Sequence, residues 1–283
     1  MHVSSLTTPL KSIIDAINSI APFSYAEDWD NVGILVGEPD MNITGILIGL
    51  DPTSQLLDEA LQIRANLVIT HHPVIFNPLK SIRTDTPTGA FIAKSVTRKI
   101  AIIGCHTNLD VVKNGVSETL AKKLGAENLR TLLPTGGPSQ PEIGFGQIGR
   151  LKQEVSAKAF LNTLCSTLSV PAVKIAGTLP ESLTTIAVCG GSGSDLAEQA
   201  LAAGVQIYIT SEVKHSTARW AEEANFCIID AGHFATENII TQTFASILQE
   251  SLNNQTVKID IHVTQKQENP FSYYIAELNK NMN

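Results

Sequence analysis

Aromatic residues are scarce in this 283-residue chain, at 5%, although the hydrophobic fraction as a whole is 43%. A core so short of rings must be built mainly from Ile, Leu, Val and Ala, a composition that suits parallel or mixed sheets covered by helices. Basic runs are missing too. Lys and Arg number 20 against 27 Asp and Glu, giving a formal charge of −7 with no basic stripe. Without a phosphate-backbone footprint, nucleic acid is not expected as a main partner. No uninterrupted apolar run approaches the ~18 residues of a membrane span, so no membrane association is expected. The opening stretch from Met1 to Pro9 has neither the charged start nor the apolar segment of a signal peptide. The four cysteines, Cys105, Cys165, Cys189 and Cys227, include no Cys-x-x-Cys pair. Buried free thiols in a reducing compartment are the expectation, and with them a cytoplasmic location.

The pattern that is present reads as α/β. Thr8-Pro9 has the form of a helix start, N-cap followed by first-turn proline, and Ile13, Ile14, Ile17 and Ile20 then recur at helical spacing. Gly45 to Leu50 reads as a buried strand and Ser54 to Ala65 as a helix with Leu56, Leu57, Ala60 and Leu61 on one face. Leu67 to Thr70 reads as a second strand that runs into His71-His72-Pro73. Strand–helix–strand is the unit of a parallel sheet.

The unit occurs twice. Shifting the chain by 140 residues aligns Ile46 with Ile186, Ser54 with Ser194, Leu56 with Leu196, Ala60-Leu61 with Ala200-Leu201 and Ile69-Thr70 with Ile209-Thr210. Each unit is followed by a strand ending in histidine and then a carboxylate four residues on: His106 with Asp110, and His233 with Glu237. An internal repeat accounts for both features, and predicts two similar α/β domains with mixed sheets flanked by helices. The expected division is 1–130 together with 229–283 for the first domain and 131–228 for the second. The Pro/Gly-rich stretch Pro134 to Pro138 lies near the boundary, and the terminal helix (Thr236 to about Leu252) and strand (Val257 to Val263) return to the first domain.

Four of the seven histidines lie at or just past predicted strand ends, the edge where open α/β sheets bind ligands. His71 and His72 are adjacent, and Pro73 holds His72 extended, so the two imidazoles diverge and can reach two different ions. His233 and Glu237, four apart, sit on one face of a helix's first turn and converge on one ion. His106 and Asp110 can do the same in the first copy. Neutral imidazoles mixed with carboxylates, and no cysteine in position, suit Zn, Fe(II), Mn or Co. His2 and His262 are read as ordinary surface residues. His215, beside Glu212, is either a group supporting the site or a relic of the repeat. The glycine-rich Gly190 to Asp195 has neither Walker nor dinucleotide spacing and reads better as a tight turn than as a phosphate cradle, and Asp30-Asn31 reads as a turn.

Four blocks, Asp28-Trp29-Asp30-Asn31-Val32-Gly33, Thr70-His71-His72-Pro73, His106-Thr107-Asn108-Leu109-Asp110 and Gly232-His233-x-x-x-Glu237, resemble the signature segments of the Nif-three-like family. Its bacterial members carry the labels GTP cyclohydrolase 1 type 2 or dinuclear-metal hexameric protein. The resemblance implies a toroidal homohexamer with metal sites facing an internal cavity. It implies His71, His72, Asp110, His233 and Glu237 as ligands of two divalent ions, with Glu237 bridging, and sets His106 close to the ions but outside the ligand set. It also implies that this chain lacks the inserted domain of longer relatives. Ser211 to His215 departs from the family's Gly-Glu-x-x-His-His-like segment.

Two functions follow as expectations. One is a metal-dependent hydrolase of a small molecule, with GTP or another nucleotide as candidate substrate, in which metal-activated water attacks the purine's imidazole carbon and His106 or Glu212 moves protons. The same ions would serve phosphoester hydrolysis. The other is a non-catalytic, metal-binding hexamer that acts as a scaffold or regulator.

Overall fold

A computed structural model describes residues 8–274. In chain order the elements are β1 (Thr8–Pro9), α1 (Leu10–Ile20), β2 (Gly33–Val36), β3 (Asn42–Ile43), β4 (Ile46–Gly49), α2 (Ser54–Gln62), β5 (Leu67–Thr70), α3 (Pro87–Arg98), β6 (Ala101–Gly104), α4 (Thr107–Asp110) and α5 (Val116–Lys123). They continue with β7 (Ala126–Pro134), β8 (Gly144–Ser156), α6 (Ala157–Leu168), β9 (Lys174–Ala176), β10 (Ser182–Ser192), α7 (Ala197–Ala202), β11 (Ile207–Ser211), α8 (His215–Glu223), β12 (Cys227–Asp230), α9 (His233–Glu237), α10 (Ile239–Asn254) and β13 (Ile261–Val263).

Two mixed sheets carry the molecule. The five-stranded sheet has the order β13-β4-β5-β6-β2, parallel except for β2, and the six-stranded sheet the order β7-β8-β10-β11-β12-β9, with β10, β11 and β12 parallel. Every residue of β4, β5 and β6 is buried, because helices cover both faces. Alternation sorts their side chains. Ile46, Ile48, Ile69 and Ile103 pack with α1 and α10, while Leu47, Val68 and Ile102 pack with α2 and α3. The second sheet repeats the plan. Ile186, Val188, Ile209 and Ile229 pack with α5 and α6, and Ala187, Tyr208 and Ile228 with α7 and α8. These are the two similar α/β units that the repeat predicts.

Several local expectations differ from the structure. Thr8 is not an N-cap: Thr8 and Pro9 pair with Ile43 and Asn42, and the N–H groups of Leu10 and Lys11 donate to the carbonyls of Met41 and Pro39. A neighbouring segment thus satisfies the first-turn donors in place of a capping side chain. Helix α2 stops at Gln62, and Leu61 is exposed. The terminal helix is two helices, α9 and α10, separated at Asn238, and the last strand is only Ile261–Val263. His2 lies outside the described residues. No helix among them is long and apolar enough to cross a membrane. All four cysteines are free; Cys105, Cys189 and Cys227 are buried and Cys165 is partly so.

Candidate metal centre

The carboxyl ends of β5 and β6 from one sheet and of β11 and β12 from the other meet at one place. His71 and His72 follow β5, His106 and α4 follow β6, Glu212 follows β11, and His233 opens α9 after β12. The structure therefore brings together residues that lie more than a hundred positions apart in sequence.

Each of four imidazoles is held by its Nδ1 atom. His71 Nδ1 donates to the Cys105 carbonyl at 2.8 Å, His72 Nδ1 to Asp51 at 2.7 Å, His106 Nδ1 to Asp30 at 2.9 Å and His233 Nδ1 to Glu212 at 3.1 Å. A proton on Nδ1 leaves the Nε2 lone pair free, the arrangement that orients histidine towards a metal ion. Nε2 of His72 and Nε2 of His233 stand 3.3 Å apart, and each is 2.9 Å from Glu237 Oε2. Glu237 Oε1 faces the other way, 3.8 Å from His71 Nε2, which is itself 3.5 Å from Asp110 Oδ1.

Two of these atoms make the chemical case. His71 Nε2 and Glu237 Oε2 are both fully buried, and neither has an aligned hydrogen-bond partner. Buried polar atoms left unmatched cost free energy, so a cluster of lone pairs facing one another needs a cation. His72, His233 and Glu237 form one group within metal-sharing reach, and His71, His72 and His106 another. Imidazole nitrogen with carboxylate oxygen fits a divalent transition ion.

The electrostatics agree. Burial opposes protonation of His72, but the carboxylates of Asp51 and Glu237 outweigh it and push its pKa up to about 10. His71 is raised in the same way, burial being outweighed by Asp110 and Glu237, and the adjacent Glu237 carboxylate leads the rise at His233. Burial alone would raise Glu237, yet His233, His71 and His72 hold it well below the ordinary carboxylate range. Asp110 moves up, chiefly through burial, with Glu237 adding to the rise. The cluster attracts positive charge at its centre.

Comparison with known proteins decides the family. The Duf34/NIF3 (NGG1p interacting factor 3) family matches residues 8–270. The chain belongs to that family. A Clostridium acetobutylicum protein named GTP cyclohydrolase 1 type 2 homolog is 30% identical over 268 residues, covering 95% of this chain and all of the relative. A Clostridium perfringens protein of the same name is 32% identical over 264 residues, covering 93% and 99%. Among solved structures, a hypothetical protein of Staphylococcus aureus superposes with a TM-score of 0.88 at 27% identity, covering 94% of this chain and 100% of the other. A Bacillus cereus protein related to NIF3 also gives 0.88, at 26% identity, with 94% and 99% covered.

Three residues that shape the cluster were given no role in it by sequence reasoning. Asp30, read as part of a turn, has a fully buried carboxylate that accepts His106 Nδ1 on one oxygen and both the N–H (3.0 Å) and hydroxyl (2.6 Å) of Thr107 on the other. Burial opposes its ionisation, but the hydrogen bonds from His106 and Thr107 hold it far below the ordinary range. Asp51, at the end of the repeat's first strand, orients His72. Gly191 lies where a Cβ would sit 1.9 Å from Glu237 Oε1, and its φ is +65°. The N–H groups of Gly190, Gly191 and Gly193 are already donated to Ser117, Thr236 and Thr210 hydroxyls, as befits a packed turn. His215 is exposed at the start of α8, and it is in neither metal-sharing group.

Proposed function

We propose that this chain is a metal-dependent hydrolase of a small molecule, working at a pair of divalent ions, with opening of the imidazole ring of GTP as the candidate reaction. The observation that supports it best is the set of four imidazoles fixed at Nδ1, three of them with Nε2 within 3.8 Å of Glu237, together with the buried and unmatched His71 Nε2 and Glu237 Oε2. Names of the relatives supply the candidate substrate. Zn, Fe(II), Mn or Co suits the donors.

His72 and His233 with Glu237 Oε2 would hold one ion, and His71 and Asp110 with Glu237 Oε1 the other, so that Glu237 bridges. Two such ions supply an activated water and stabilise developing negative charge. The chain's own groups set the stage for that chemistry. Five ligands shared by two ions leave room for water and substrate, unlike a closed structural site with four ligands to one ion. His106, fixed by Asp30, presents Nε2 beside His71 and His72, where it can take or give a proton. Glu212 keeps His233 in its working tautomer. A cytoplasmic homohexamer is the assembly proposed with this site.

Turnover of GTP and a panel of phosphoesters, compared between the wild type and the Asp110→Asn and Glu237→Gln variants, tests the reading. Metal-dependent turnover that both variants lose is expected. If no substrate separates the wild type from the variants, the hydrolase reading falls and a metal-binding scaffold takes its place.

A further inference from the structure

Beside His72 and His233 opens a cavity of about 550 Å³. Its walls differ from one another in a way that bears on substrate class. One wall is Phe234, directly after His233 on α9. Another part of the lining is a C-terminal arm, which contributes Pro270, Phe271 and Tyr273. The arm is pinned by Gln267, whose Oε1 accepts from the N–H of Leu50 (2.7 Å) and Asp51 (3.3 Å), and whose Nε2 donates to the Asp51 carbonyl at 2.5 Å. Phe271 is 79% and Tyr273 60% exposed. Large rings left uncovered against a cavity mark a surface made to be covered.

The charged lining points the same way. Among the described residues it holds three carboxylates, Asp51, Glu212 and Asp230, against a single lysine, Lys174. Asp51 and Glu212 are engaged with the two histidines, and Lys174 stands 3.4 Å from Asp230. Among the described residues no arginine lines the cavity, and the lysine there already has a carboxylate beside it. Aromatic and aliphatic carbon welcomes a planar ring, and away from the metal ligands the described lining offers a polyphosphate tail little cationic charge.

We propose, building on the hydrolase reading above, that this cavity is the substrate's ring subsite. It takes an uncharged planar heterocycle of nucleobase type against Phe234 and the arm residues Phe271 and Tyr273, and leaves any phosphate tail outside the walls. The arm is thus a specificity element, and recognition follows the ring rather than the phosphates.

Calorimetric binding of guanosine and of GTP to the metal-loaded protein tests this. Phe234→Ala and the double variant Phe271→Ala/Tyr273→Ala are each expected to weaken both probes by about tenfold, the usual scale for a base stacked on an aromatic ring. Lys174→Ala is expected to change neither probe by more than about twofold, since an exposed ion pair contributes little. Metal content is unchanged in all three variants. Three results overturn the assignment: Lys174→Ala weakening GTP far more than guanosine, aromatic variants that bind both probes normally, or a wild type that binds neither. Loss of oligomeric state in the arm variant with ligand affinity intact also overturns it, by making the arm a contact between copies. Guanosine bound in the cavity but GTP never turned over sinks the hydrolase reading and leaves the ring subsite standing. Turnover that survives loss of the rings does the reverse.

Discussion

His72 and His233 come from different sheets and stand 161 residues apart in sequence, yet their Nε2 atoms face each other at 3.3 Å with Glu237 Oε2 2.9 Å from both. Two imidazoles do not approach in this way by packing alone. With each Nδ1 committed to a carboxylate, the facing lone pairs are matched only by a proton or a metal ion, and the next prediction turns on that competition.

Metal binding is expected to release protons. The carboxylates of Asp51 and Glu237 push the pKa of His72 up to about 10, so the proton they favour at pH 7 must leave before Nε2 can bind metal. Affinity therefore rises with pH between 7 and about 10, roughly tenfold per unit for each proton displaced. Calorimetry in buffers of different ionisation enthalpy reads the proton count directly. Asp51→Asn removes one partner and shifts the rise to lower pH. A flat profile with no proton release would contradict the charge state described for His72.

Asp30 is expected to matter to stability as well as to the site. Asp30→Asn disturbs a buried carboxylate that accepts four hydrogen bonds and should cost about 2 kcal/mol at pH 7. The sign with pH is fixed by the depressed folded-state pKa. The ionised carboxylate stabilises the fold above the unfolded value of about 4, and that contribution fades as pH falls below it. Urea denaturation of both proteins should show the gap narrowing on acidification. Equal stability at pH 7, or a gap that widens in acid, would count against the geometry.

Gly191 is expected to couple backbone to metal. Gly191→Ala adds a Cβ 1.9 Å from Glu237 Oε1 at a φ of +65°, so it pays in strain and displaces the shared carboxylate. Gly125→Ala is the control, with a φ of +80° and nothing within 4 Å of the added Cβ. The control should lose about 1 kcal/mol and keep its metal. The Gly191 variant should lose metal out of proportion to its stability. Similar metal content in the two variants would show that Glu237 tolerates the displacement.

Much of this was legible in the sequence, for identifiable reasons. The repeat aligning Ile46 with Ile186 and Ile69 with Ile209 lies on β4 and β10 and on β5 and β11, because buried parallel strands demand continuous apolar runs. His71, His72, His233 and Glu237 were visible because strand ends and a four-residue helical spacing leave periodic marks. The roles of Asp30 and Asp51 were not, since they come from contacts with histidines 76 and 21 residues away and, for Asp30, with Thr107, and no local spacing encodes such contacts. Gly191 looked like any turn glycine because its constraint comes from Glu237 in another element. The capping reading of Thr8 failed for the same reason: the carbonyls of Pro39 and Met41 took the place of its side chain.

The most direct test is the metal content of the purified, reconstituted protein, measured by elemental analysis beside Asp110→Asn and Glu237→Gln. Two divalent transition ions per chain are expected for the wild type. Loss of the Glu237 carboxylate should empty both positions, and loss of the Asp110 carboxylate should weaken the one beside His71. A wild-type protein that stays near zero after reconstitution would contradict the assignment of the His71, His72, Asp110, His233 and Glu237 cluster as a metal centre.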